Sequence, residues 1–125
     1  NRTSGRGEKF AANFPNTMAV NDLEKAISNA DIISAATMSS EPLINGKWLK
    51  PGQHIDLIGA YRPDMREADN ITLKRSKIFV DSFETTIDHI GELKIPLESG
   101  AISRTDIRAD YYDFDSFKSE PDDIK

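Results

Sequence analysis

The sequence contains no cysteine, so disulfides, thiolate nucleophiles and cysteine-held metals are all excluded. That usage suits a reducing compartment, and the cytoplasm is the expected location. Positive charge is also scarce: 16 Lys and Arg face 21 Asp and Glu, a formal net charge of -5. A field of that sign repels phosphate backbones and anionic lipid, which argues against nucleic acid and membrane as partners. No apolar run approaches the roughly 20 residues of a membrane span, and no secretory leader is visible. The two histidines, His54 and His89, stand in no metal-binding spacing with nearby acids. A P-loop, a complete glycine fingerprint and a nucleophile–base arrangement are also missing. There is no initiator Met. The chain opens on Asn1-Arg2-Thr3, polar residues that ordinarily follow something, and reads as a piece of a longer protein cut at both ends.

What is present fits one domain. With 125 residues, 38% of them hydrophobic, the chain can bury a core but is small for a whole enzyme. The centre is the stretch from Asp31 to Pro63. Ile32-Ile33 followed by small residues reads as a strand apolar on both faces, and His54 to Ile58 reads as a second. Each ends in small or polar residues, Ala36 and Thr37 in one, Gly59 and Ala60 in the other. Ligands of open α/β sheets bind outside the carboxyl ends of strands, so both ends could rim one crevice. Such residues equally serve as plain turns.

Around this centre the pattern alternates. Arg6 to Phe14 has helical spacing and stops at Pro15, and Thr17 to Val20 is a short strand candidate. Asn21 or Asp22 caps a helix with the stripe Leu23, Ala26, Ile27 and Ala30. Ser39 to Gly52 is a loop pinned by Trp48 and Leu49. Asn70 starts a short helix ended by Ser76, Lys77 to Asp81 is a third strand, and Ser82 caps a helix to about His89. Ile95 to Gly100 reads as irregular. Ser103 to Asp106 resembles a capping box opening a helix with Ile107, Tyr111 and Phe114 inward. From Asp115 the tail is polar and acidic and is expected to be loosely held. Strands alternating with helices of about ten residues indicate βαβ units, hence an α/β fold with a parallel sheet.

Several polar groups could carry chemistry. Asn1-Arg2-Thr3 offers a rigid guanidinium fork with hydroxyl and amide donors, suited to phosphate, or else forms a frayed terminus. His54 reads as a packed core histidine and His89 as a solvated one. The run Asp64, Arg66, Glu67, Asp69 reads as a solvated face.

Taken in order, Ala30-Asp-Ile-Ile-Ser-Ala-Ala-Thr37, Glu41-Pro42, Gly46-Lys-Trp48, Lys50-Pro-Gly52, His54-Ile55, Gly59-Ala60, Arg62-Pro63, Arg66-Glu67, Phe79-Val-Asp81-Ser82 and Gly91-Glu92 form a specific series. It resembles the ornithine cyclodeaminase/mu-crystallin family over nearly the whole chain. The Trp-x-Lys-Pro-Gly-x-His run carries most of that specificity.

The resemblance implies a Rossmann-type NAD(P) domain entered just after its second strand: residues 1–114 as an incomplete dinucleotide-binding domain, 115–125 as a polar tail. The glycine-rich turn and the substrate-binding Lys would lie outside this chain, so these 125 residues alone are expected to be inactive. The homodimer would form through that absent substrate domain. Asn1, Arg2 and Thr3 fall where family members hold the adenosine 2′-phosphate, which favours NADP over NAD. Thr37 and Met38 fall beside the cofactor, and Ile58 and Ala60 on its nicotinamide side. Tyr61 stands where ornithine cyclodeaminases carry a catalytic Asp. A tyrosine can donate a hydrogen bond but cannot act as a carboxylate base near neutral pH. The implied activity is therefore NAD(P)H-dependent reduction of a cyclic imino acid, such as Δ1-pyrroline-2-carboxylate, to proline or a related amino acid. The alternatives are ornithine cyclodeamination, or a non-catalytic NADPH and small-ligand binder of the mu-crystallin type.

Overall fold

Strand β1, Ile32–Ala35, lies parallel to strand β2, His54–Leu57, with Ile32 opposite His54 and Ala35 opposite Leu57. These elements come from a computed structural model that describes residues 3–113, 118 and 120–125. Strands β3, Ile78–Phe79, and β4, Ile107–Ala109, form a second parallel pair. Between the pairs runs the end of the chain. Lys125 donates its N–H to the Gln53 carbonyl and accepts from Ile55 N–H, and Ile124 accepts from Lys77 N–H at 2.7 Å. Among the described residues every strand pairing is parallel, with helices between the strands, which is an α/β architecture.

Helices cover this bed. Helix α1 is Ser4–Ala11, α2 is Leu23–Asn29, α3 is Asn70–Arg75, α4 is Phe83–Thr86 and α5 is Gly91–Glu98. Side chains cap three of them: Asp22 accepts from Lys25 N–H, Asp69 from Thr72 N–H and Ser82 from Thr85 N–H. Two apolar clusters result. One joins Ile27, Ile33, Ile44, Leu49, Ala68 and Ile124, the other Leu73, Ile78, Ile87, Leu93, Ile102 and Ile107.

Several expectations are corrected. The β1 strand buries one face only: Ile33 is buried while Ile32 is 71% exposed, because nothing among the described residues lies over the other face. Thr17 to Val20 is not a strand; it has no pairing partner among the described residues. Ile95 to Gly100 is largely helical, as α5 carries Pro96 within it. The capping box at Ser103 is real but opens a single 3-10 turn, Arg104–Asp106, followed by strand β4. There Ile107 and Ala109 are buried and Arg108 is exposed, a period of two rather than 3.6. Tyr111 is accordingly exposed, and Phe114 lies outside the described residues. His54 is exposed and not a core residue. The tail is not loose at its end: Ile124 is buried in the first cluster and Lys77 pairs with Asp123.

Gln53 joins two of these elements. Its Nε2 donates to the carbonyls of Ile27 and Ala30, at 2.7 and 2.6 Å, and its Oε1 accepts Lys50 N–H at 2.6 Å. The carbonyls at the end of α2, of which that of Ile27 also accepts Ala30 N–H, are thereby tied to the residue just before β2. Gln53→Ala leaves Lys50 N–H and the Ala30 carbonyl without this partner and takes one of two donors from the Ile27 carbonyl; it is expected to cost about 2–4 kcal/mol in denaturant unfolding. A loss below about 1 kcal/mol would mean that water replaces the side chain there.

Candidate functional site at the ends of the first two strands

The last rung between β1 and β2 is Ile58 N–H to the Ala35 carbonyl, 3.0 Å. Past it the ladder stops, and two more backbone amides face the gap. Thr37 N–H donates to Oε1 of Glu67 at 2.5 Å, and Gly59 N–H donates to Oε2 of the same residue at 2.7 Å. One carboxylate thus holds both strand ends. Gly59 is needed for space: a Cβ there would lie inside contact distance of the Thr37 backbone and of Glu67 Oε1.

Glu67 is held from the opposite side. Its segment runs beside residues 39–44, with Ile44 bridged to Ala68, and its carbonyl accepts the N–H groups of Leu43 and Ile44. Glu92, in the first turn of α5, accepts the N–H groups of Glu67 at 2.5 Å and Ala68 at 3.1 Å. The α5 terminus approaches this closely because residue 91 is glycine; a Cβ would stand 2.5 Å from the Met65 carbonyl oxygen and 2.6 Å from that of Pro63. Burial pushes the Glu92 carboxyl above the ordinary range, against the two amides and Arg66 that draw it down. Burial pulls Arg66 below its ordinary value, opposed by Glu92 and Asp69. The run Asp64, Arg66, Glu67, Asp69 is therefore no solvated face: Glu67 is fully buried, Arg66 nearly so, and Asp64 alone of the four is exposed.

The structure brings together four of the residues singled out in the sequence. Thr37 and Met38 follow β1, Ile58 and Ala60 follow β2, and Glu67 links the two ends. Met38 and Ile58 are exposed, Thr37 and Ala60 half-buried. Tyr61 sits next along the chain, 61% exposed, with the Arg62 guanidinium 5.8 Å from its ring centre. Arg62 in turn pairs with Asp64 at 3.1 Å. Thr3 stands elsewhere, at the start of α1, where its carbonyl accepts the N–H groups of Arg6 and Gly7. Asn1 and Arg2 lie outside the described residues. The functional residue that the sequence reading missed is Glu67. The signal was the pair of apolar positions, Met65 and Ala68, bracketing the charges.

This is a binding geometry. Small residues and backbone dominate the strand ends, and Met38 and Ile58 offer apolar surface beside them. Thr37 and Tyr61 both carry a hydroxyl here, each able to donate a hydrogen bond.

The ornithine cyclodeaminase/mu-crystallin family profile matches residues 1–113. A Δ1-pyrroline-2-carboxylate reductase of Paracoccus denitrificans is 54% identical over 95 residues, 76% of this chain and 30% of that protein. The ketimine reductase mu-crystallin of Rattus norvegicus is 40% identical over 102 residues, 81% of this chain and 32% of that protein. Among solved structures, the Thermococcus litoralis Δ1-pyrroline-2-carboxylate reductase in complex with NADH and L-proline superposes with a TM-score of 0.80 at 30% identity. It covers 85% of this chain and 34% of its own. The fold is thus of the Rossmann type, and the chain spans about a third of the length of these relatives.

Proposed function

The chain belongs to the ornithine cyclodeaminase/mu-crystallin family, and from that premise we propose that it forms the nicotinamide-holding part of an NAD(P)H-dependent reductase of cyclic imino acids. The observation that carries this reading is the joint end of β1 and β2, where Thr37 and Gly59 are fixed side by side beneath an apolar rim. Held between Thr37–Met38 and Ile58–Ala60, the reduced cofactor would supply the hydride for an imine carbon, with the proton for its nitrogen drawn from solvent or a donor at the rim. The chain's own residues bind and orient. Thr37 and Met38 line one wall and Ile58 and Ala60 the other. Tyr61 donates a hydrogen bond at the rim. It has no carboxylate with which to abstract a proton from an amino group, which disfavours ornithine deamination.

Asn1, Arg2 and Thr3 are proposed to hold a 2′-phosphate, so that NADPH is the preferred donor. The substrate is proposed to be Δ1-pyrroline-2-carboxylate or a similar ketimine, the protein a cytoplasmic homodimer, and residues 115–125 the link from the cofactor domain to the rest of the enzyme. The test is a steady-state assay of the full-length protein with Δ1-pyrroline-2-carboxylate. NAD(P)H oxidation is expected; its absence with both pyrroline- and piperideine-2-carboxylate overturns the assignment. In the same assay Arg2→Ala is expected to raise the KM for NADPH about tenfold or more, the equivalent of losing one good charge-assisted pair. Equal losses with NADH would remove the 2′-phosphate contact.

A further inference from the structure

Glu67 is more than a packing residue. Its side chain is fully buried, and each of its two oxygens accepts one N–H from a different strand end. A neutral amide in its place offers one oxygen and turns a donor toward the second N–H, so a carboxylate is the side chain that can accept both. Among the described residues the ion pairs are Arg62–Asp64, Lys77–Asp123, Lys94–Glu98 and Arg104–Asp88, and Glu67 takes part in none of them. The adjacent Arg66 is buried with Nε and Nη2 unpaired, and the charges acting on it are those of Glu92 and Asp69. Two amide dipoles therefore hold the Glu67 carboxylate, at the site where the nicotinamide end is proposed to sit. A buried charge is costly to keep, and two partners this well placed are what make it tolerable.

We propose that Glu67 is the positioning residue of this slot, fixing the distance between its two walls and placing a negative charge beside the ring. The inference rests on the cofactor reading above. The oxidised nicotinamide ring is cationic and the reduced ring neutral, so a nearby carboxylate favours the oxidised form and, with it, hydride departure. A residue that merely packed would affect both forms alike.

The experiment measures dissociation constants of the full-length protein for the oxidised and reduced cofactor, with kcat alongside, in Glu67→Gln and Glu67→Asp. Glu67→Gln is expected to weaken oxidised cofactor about tenfold more than reduced cofactor and to lower kcat. Glu67→Asp keeps the charge on a shorter stem. It is expected to restore the native ratio of the two affinities while both are weakened, and it decides the matter should Glu67→Gln fail to fold. Native affinities and kcat in Glu67→Gln, or equal weakening of both forms in Glu67→Gln with an altered ratio in Glu67→Asp, overturn the proposal. If the native full-length protein binds neither NADH nor NADPH, the cofactor reading itself falls, a separate and distinguishable outcome.

Discussion

Gly59→Ala is expected to abolish NAD(P)H binding by the full-length protein and to lower its melting temperature by several degrees. The added methyl group meets the Thr37 carbonyl oxygen, the Thr37 nitrogen and Glu67 Oε1 inside contact distance. None of these is the free end of a flexible side chain. Thr37 is backbone, and Glu67 is anchored through both of its oxygens and its own N–H. The strand ends must part, which breaks the paired amide contacts and misplaces both walls of the slot. Overpacking of this kind costs about 1–3 kcal/mol, occasionally more, and a displacement near 1 Å is enough to spoil a positioned ring. Fluorescence titration with NADH and a thermal melt read the two effects. Native affinity in a folded Gly59→Ala protein would show that the strand ends are not the cofactor's seat.

Glu92→Ala is expected to cost about 2–5 kcal/mol, because the buried N–H groups of Glu67 and Ala68 lose their acceptor together. Its acid dependence is distinctive. Burial raises the Glu92 carboxyl above the ordinary range, so the folded state holds that proton more tightly than the unfolded chain. The stabilisation this supplies is complete below the ordinary carboxyl value and is lost as pH rises through the raised folded one. Asp106 and Asp123 run the other way, lowered by hydrogen bonds from Ser103 and Lys77 respectively. Their contribution is present above the ordinary range and fades on acidification. The deficit of Glu92→Gln against the native protein should therefore be largest in acid and shrink toward neutral pH, as read by denaturant unfolding across a pH series. A deficit independent of pH would contradict a carboxyl raised by burial.

Local signals in the sequence were strong where geometry is local. The caps at Asp22 and Ser82, the short helix ending at Ser76 and the pinned Trp48–Leu49 turn are all present as read. The parallel pairing and the neighbouring strand ends at Thr37 and Gly59 followed from apolar runs ending in small residues. What misled was long-range. The capping box at Ser103 is satisfied by one 3-10 turn, and only pairing with β3 makes Ile107–Ala109 a strand. Pro96 suggested irregular chain, yet packing of Leu93 and Leu97 into the second cluster supports the helix around it. Ile32 looks like a two-sided core position, but its exposure depends on what covers that face. Glu67 was hidden most completely. Its partners are 30 and 8 residues away, and the apolar Met65 and Ala68 mark a buried segment without marking which charged member within it clamps the strand ends.

The most direct measurement is amide hydrogen exchange of the full-length protein with and without NADPH, resolved to residues 36–39 and 58–61. Both segments are expected to gain protection together, since one carboxylate clamps the two ends between which the ring is proposed to lie. Protection confined to other segments, or gained at one strand end alone, would contradict a shared nicotinamide slot.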